Sequence, residues 1–142
     1  MTNAWKYIVI AAILGGAGIW LWQSLAPKGG GSSSQVAVTL PDLTPMAAKG
    51  KKEFDAVCAA CHGVNATGTD KGPPFLHDIY NPGHHSDEAF FVAAQLGVRQ
   101  HHWPYGSMPP QPNVSVEQIA AIVKYVRELQ AANGITARPH TM

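Results

Sequence analysis

Charge is scarce in this chain: ten Lys and Arg and nine Asp and Glu make up 13% of its 142 residues, about half the usual ~25%. Gly, Pro and hydrophobic residues are plentiful, so neither a disordered acidic solvator nor a coiled coil is expected. The formal net charge of +1 supplies no broad basic stripe for phosphates, which argues against nucleic-acid binding. Acids are missing before Asp42, and Lys6 and Lys28 are the only charges in that stretch. From Asp42 onward eight basic residues oppose nine acids, so any steering of a partner comes from local patches. Cysteine is confined to Cys58 and Cys61, too few thiols for a zinc site without further ligands. Alternating apolar runs of strand length are absent from Thr44 to Gly134, which points to an all-α domain. The length excludes a two-domain enzyme and allows one domain of about 100 residues plus an appendage.

That appendage is at the start. Residues 7–22 carry no charge or strongly polar side chain, and the mostly apolar stretch extends over 4–26. At ~1.5 Å per residue it spans the ~30 Å of a bilayer core. Trp5 and Tyr7 flank one end and Trp20 and Trp22 the other, as aromatic rings do at membrane interfaces. Residues 1–27 are therefore expected to anchor the chain in a lipid bilayer as a transmembrane helix. The rival reading is a cleaved signal peptide, for which Ser24-Leu25-Ala26 offers a small-residue cut site. Pro27 would then follow the cut directly, a position signal peptidase tolerates poorly. Both readings place the remainder outside the cytoplasm.

Residues 28–44, with Gly29-Gly30-Gly31 and Ser32-Ser33-Ser34, have the composition of a flexible linker. A domain over 45–134 follows. Thr44-Pro45 is a helix start, with a capping hydroxyl and a ring preset to helical φ, and this helix should run to about Val57. A second should begin at Ser86, with Asp87 and Glu88 on the positive end of its dipole, and stop at Gly97 after Phe90, Phe91, Ala94 and Leu96. A third starts at Ser115, with Gln118 completing a capping box, and ends at Asn133-Gly134. Its Ile119, Ile122, Val123, Val126 and Leu129 share one face. Three helices and two long loops make a thin core, which a large apolar cofactor would complete. The tail, 135–142, carries no motif.

Cys58-Ala59-Ala60-Cys61-His62 carries the chemistry. Two thiols about one helical turn apart can add across the two vinyl groups of one haem, while the adjacent imidazole reaches the iron. A redox dithiol would typically open a helix after a strand, whereas this motif follows a helix. The second axial ligand expected is Met108. Met1 begins the membrane segment, Met46 lies on the opening helix and Met142 ends the tail, so Met108 alone occupies a loop just before the last helix. The bland alternative for Met108 is a gap-filling core residue.

With this motif the chain resembles the class I, monohaem c-type cytochromes over roughly Thr44 to Gly134. Gly50 and Phe54 precede Cys58 at the spacing of that family's N-terminal helix, where the glycine permits close crossing by the C-terminal helix, and Tyr125 is similar to the aromatic partner there. Gly72-Pro73-Pro74-Phe75 resembles the family's G-P-x-L turn, with Phe75 in place of the leucine. The resemblance implies that the Pro73 carbonyl accepts from the ligating imidazole. Gly106-Ser107-Met108-Pro109 resembles the loop presenting the methionine ligand. The implied fold is all-α, with three main helices and long loops wrapped round one covalent haem c, preceded here by the transmembrane helix.

The remaining histidines keep several readings open. His84-His85 and His101-His102 form two pairs, joined by His77 in the same loop-rich half. Any of them could displace Met108 and lower the potential by bis-His ligation; the pairs could bind a second metal; or they are loop residues near the haem edge or propionates. Trp103 and Tyr105 could donate N–H and O–H to the propionates or simply pack in the loop.

Two strong axial ligands leave no open position on iron, so an electron carrier rather than an enzyme is expected. The resemblance implies membrane redox partners such as a quinol:cytochrome c oxidoreductase and a terminal oxidase; an extracytoplasmic haem domain behind a short anchor is expected to face the periplasm from a bacterial inner membrane. The alternatives are a haem subunit of a dehydrogenase or oxidase, and a haem sensor or peroxidase with an open or bis-His site.

Overall fold

The fold was analysed in a computed structural model that describes residues 37–138. The expected anchor over 1–27 and most of the linker lie outside the described residues. Among those described, no helix is long and apolar enough to cross a membrane.

The first helix, α1, spans Pro45–Val57. Thr44 caps it through its side-chain oxygen, which accepts from the Ala47 amide, and Pro45 fills the first helical position. A short helical turn, α2, covers Ala59–His62 and places the cysteine motif directly beyond α1. Two 3-10 turns follow, Val64–Ala66 and Asp78–Tyr80. Then come α3, Asp87–Leu96, and α4, Val116–Ala132. The Ser115 cap of α4 has both reciprocal bonds of a capping box with Gln118. Among the described residues the extended pairing is a single antiparallel bridge, Val98 with Met108. Two residues with no alternating flanks leave no strand signal in the sequence, so the bridge was not foreseen.

The core is the crossing of α1 and α4. Ala47 and Phe54 from α1 meet Ile122, Tyr125, Val126 and Leu129 from α4, all buried. Phe54 and Tyr125 lie ring to ring at 5.5 Å, a separation at which aromatic pairs attract. Gly50 makes the close approach possible. A Cβ built there would stand 1.8 Å from the Ala121 carbonyl oxygen, so any side chain would force the helices apart.

Helix α3 behaves differently from a core helix. None of its residues is fully buried, and Leu96 is 74% exposed. Its Ala89, Phe90, Ala93 and Ala94 instead face a cavity. The expected thin core thus takes a definite form: α1 and α4 pack on each other, while α3 walls an internal space.

The end of the expected flexible linker and the start of the motif-less tail are both tied down. At the end of the linker, Val38 and Leu43 pack on the core. The Thr39 amide donates to Asn133 Oδ1 and the Asn133 amide returns the bond to the Thr39 carbonyl, both at 2.9 Å. The Glu128 carboxylate accepts from the Thr44 amide at 3.0 Å and from its hydroxyl at 2.6 Å. Residues 37–44 are therefore part of the domain's surface and not free linker. In the tail, Ile135 is buried, and Arg138 donates to Asp78 at 3.2 Å.

Candidate functional site

Helix α1 continues into α2 with hardly a break, since the amides of Cys61 and His62 donate to the Cys58 carbonyl. Helical winding therefore carries the two thiols one turn apart. Cys58 is half-buried and Cys61 exposed, and both are free thiols in this chain. Burial, and then the neighbouring Cys61, push the Cys58 thiol up to about 11, so it stays protonated at neutral pH.

His62 is buried, with its Nδ1 3.0 Å from the Pro73 carbonyl oxygen. A carbonyl can only accept, so Nδ1 carries the proton and Nε2 keeps its lone pair. Burial holds the imidazole below its ordinary pKa, against the pull of this hydrogen bond. The result is a neutral ring with a fixed tautomer, the state a metal ligand needs. Phe75 stacks on it at 4.2 Å and meets Phe54, Tyr80 and Phe90 edge-on. The aromatic side chain is thus the hub of the packing below the imidazole.

The cavity beside His62 has a volume of about 670 Å³, within the range of small-molecule and cofactor sites. Cys58, Cys61, His62, Pro73, Trp103, Tyr105 and Met108 all border it. These seven residues, singled out from the sequence, therefore face one space; of the other candidate histidines, His85, His101 and His102 border it as well, and His77 and His84 do not. The α3 face and Ile119, Ile122 and Val123 of α4 make its walls largely apolar.

Met108 is held by its backbone. Its amide and carbonyl both bond Val98 at 2.9 Å, closing the loop between them. Gly97, which ends α3, has φ +76°, and a Cβ there would stand 2.6 Å from the Met108 carbonyl oxygen. Glycine permits both the turn and the contact. Inside the loop, the Gly106 amide donates to Gln100 Oε1 at 2.9 Å.

Trp103 Nε1 is buried without a hydrogen-bond acceptor. Burial raises the Tyr80 phenol, and the nearby Trp103 indole eases its ionisation, without the geometry of a hydrogen bond. A buried N–H with no partner is rare, and this one borders the cavity, where an added acceptor would satisfy it. Tyr105, partly exposed, lies 6.2 Å from Trp103 ring to ring.

A family model described as cytochrome c matches residues 47–130. The chain belongs to the cytochrome c family. No curated protein and no solved structure matches it closely enough to extend the comparison. Membership implies covalent haem c, for which Cys58 and Cys61 supply the attachment motif, and a role in haem-based electron transfer. The residues present fit that group on four counts: two thiols at the edge of the space, a neutral oriented imidazole, apolar walls, and an indole N–H lacking an acceptor.

Sequence reasoning missed how this cytochrome c domain holds its haem-side turn. Arg127, on α4, donates to the Tyr80 carbonyl at 2.9 Å, to Gln130 Oε1 at 2.7 Å and to the His85 carbonyl. It also pairs with Asp87 at 2.7 Å. Gln130, fully buried, donates to the carbonyls of Phe75 and Tyr80. Nothing local in the sequence marks these α4 positions, because their carbonyl acceptors belong to a loop more than forty residues away.

Proposed function

We propose that this cytochrome c is a membrane-tethered one-electron carrier in which His62 Nε2 and Met108 Sδ are the axial ligands of its haem. The observation that carries the reading is the His62–Pro73 hydrogen bond, which frees Nε2 for a metal while Met108 borders the same cavity. When bound, the haem supplies a reversible one-electron change between ferric and ferrous iron.

The chain's own residues set the conditions for that change. The apolar walls exclude water and disfavour the additional charge of the oxidised state, and a soft thioether favours the reduced one; both raise the potential. The Pro73 carbonyl holds the imidazole in one tautomer and orientation, limiting rearrangement between states. Trp103 and Tyr105 are the donors proposed for the propionates, with the unpaired indole N–H as support. The anchor over residues 4–26 would confine the domain to the periplasmic face of a bacterial inner membrane and raise its effective concentration around integral partners. By family resemblance these are a quinol:cytochrome c oxidoreductase as donor and a terminal oxidase as acceptor. The near-neutral domain gives that encounter a modest salt dependence.

The test is the visible spectrum of the purified protein in both oxidation states. The expected result is the weak far-red band of sulfur bound to ferric iron, lost in Met108→Ala. Its absence, or its survival in the variant, overturns the ligand assignment. N-terminal sequencing of membrane-extracted protein tests the anchor, and a start at Pro27 defeats it.

A further inference from the structure

Four of the seven histidines gather beside the haem cavity, and the carrier role uses none of them. Three have ligand geometry. His84, His85 and His102 each offer one ring nitrogen, and those nitrogens lie within 4.8 Å of one another. They come from two separate pieces of chain: the turn that Asn81 holds through its carbonyl and side chain, and the loop that the Val98–Met108 bridge closes.

One pair already stands at the spacing of a metal site, and the third lies close enough to join it. His84 Nε2 and His102 Nε2 stand 3.4 Å apart. Two imidazoles bound tetrahedrally at ~2.0–2.1 Å place their nitrogens about 3.3–3.4 Å apart. His85 has the outer partner typical of a ligand histidine: its Nδ1 donates to the Ile79 carbonyl at 2.7 Å, which leaves Nε2 with a lone pair. Its backbone is held in turn by Arg127, whose charge is balanced by Asp87. The turn is therefore fixed before any ion arrives, as a site needs.

We propose that His84, His85 and His102 form a three-imidazole site for one divalent late transition ion, of the zinc or copper class, at the rim of the haem cavity. An all-nitrogen donor set without carboxylate selects against magnesium and calcium. Three protein ligands leave a fourth position for water or an external donor. His85 and His102 border the same cavity as Cys61 and His62, so the bound ion adds positive charge beside the haem. Positive charge disfavours ferric iron, and occupancy raises the haem potential; this second effect rests on the carrier reading above, whereas binding itself does not.

The experiment uses the untagged, full-length, haem-loaded chain in detergent, with Zn²⁺ as a redox-silent probe. Equilibrium dialysis with elemental analysis measures uptake, and a redox titration measures the potential with and without the ion. The expected result is saturable uptake of one Zn²⁺ per chain, displaced by Cu²⁺, with a positive shift in potential. His84→Ala and His102→Ala, separately, should each weaken uptake at least as much as the ~100-fold lost when a ligand's outer partner is removed. Their haem spectra should be unchanged, which reports an intact fold. His77→Ala, outside the triad, should leave uptake as it was. Unsaturable uptake, uptake equal in the triad variants, or loss in His77→Ala overturns the site. Saturable uptake with an unmoved potential refutes the placement beside the haem. A colourless preparation that still takes up one Zn²⁺ refutes the haem reading and leaves the site standing.

Discussion

Gly50→Ala puts the crossing of α1 and α4 to a test whose sign is informative. On an isolated helix the change is stabilising, by about 1 kcal/mol, because alanine is the better helix former. In this fold the new methyl would stand 1.8 Å from the Ala121 oxygen, 2.3 Å from its carbonyl carbon and 2.8 Å from the Ile122 amide nitrogen. All three are backbone atoms, so no side-chain rotation relieves the clash. Reaching van der Waals contact needs the helices to part by about 1.5 Å, loosening Ala47, Phe54 and Tyr125 together. Overpacking of that kind costs about 3 kcal/mol. Against the propensity gain the net is about 2 kcal/mol, or a factor of about 30 in the folding equilibrium. Urea unfolding of the haem-loaded protein, followed by circular dichroism, measures it, with Lys49→Ala as an exposed control on the same helix. A midpoint that rises in Gly50→Ala would refute the crossing.

Three further expectations use the same assay or the haem as reporter. Arg127→Leu leaves the His85 carbonyl without its donor and the Tyr80 carbonyl with Gln130 alone, and should cost about 2 kcal/mol, whereas Asp87→Ala removes a half-exposed partner and should cost less than about 1 kcal/mol; equal losses would mean that the ion pair, not the loop clamp, matters. Trp103→Phe keeps the ring and deletes the N–H; if the indole serves a propionate, the pH dependence of the haem potential should move upward in pH, and an unmoved profile refutes that role. Glu128 is penalised by burial, but hydrogen bonds from Thr44 and the charge of Lys124 outweigh this and hold its carboxyl below 4.5. Its stabilising effect is therefore complete above the unfolded value and disappears as pH falls through the folded one. Glu128→Gln should unfold at lower urea than the parent at pH 7, with the gap closing below pH 4.5; a constant gap would refute the linkage.

The sequence announced whatever is local. Thr44-Pro45 and the Ser115–Gln118 box mark helix starts through caps that operate within four residues, Ser86 with its two acids marks one without a side-chain capping bond, and each is where the helix begins. The cysteine motif was legible because haem attachment imposes a short spacing, and the Gly72–Phe75 turn because it resembles a turn of the family. What escaped notice depends on pairings across the chain. Arg127 and Gln130 carry no local signal, since what they bind is the carbonyls of Tyr80, His85 and Phe75, far back in the chain. Val38 and Leu43 sit in what composition calls linker, and nothing near them in sequence reveals the surface they cover. The apolar face of α3 was legible as apolar, but packing against protein and packing around a cofactor leave the same pattern of residues.

The Val98–Met108 bridge has an evolutionary corollary. By stapling the two ends of an excursion, it isolates the thioether from whatever lies between. Residues 99–107 can be lengthened or given new side chains without moving the backbone that carries Met108. The rings of His101, His102 and Trp103 sit in this stretch and border the cavity, so exchange there retunes the rim of the haem site while the backbone of its methionine stays in place.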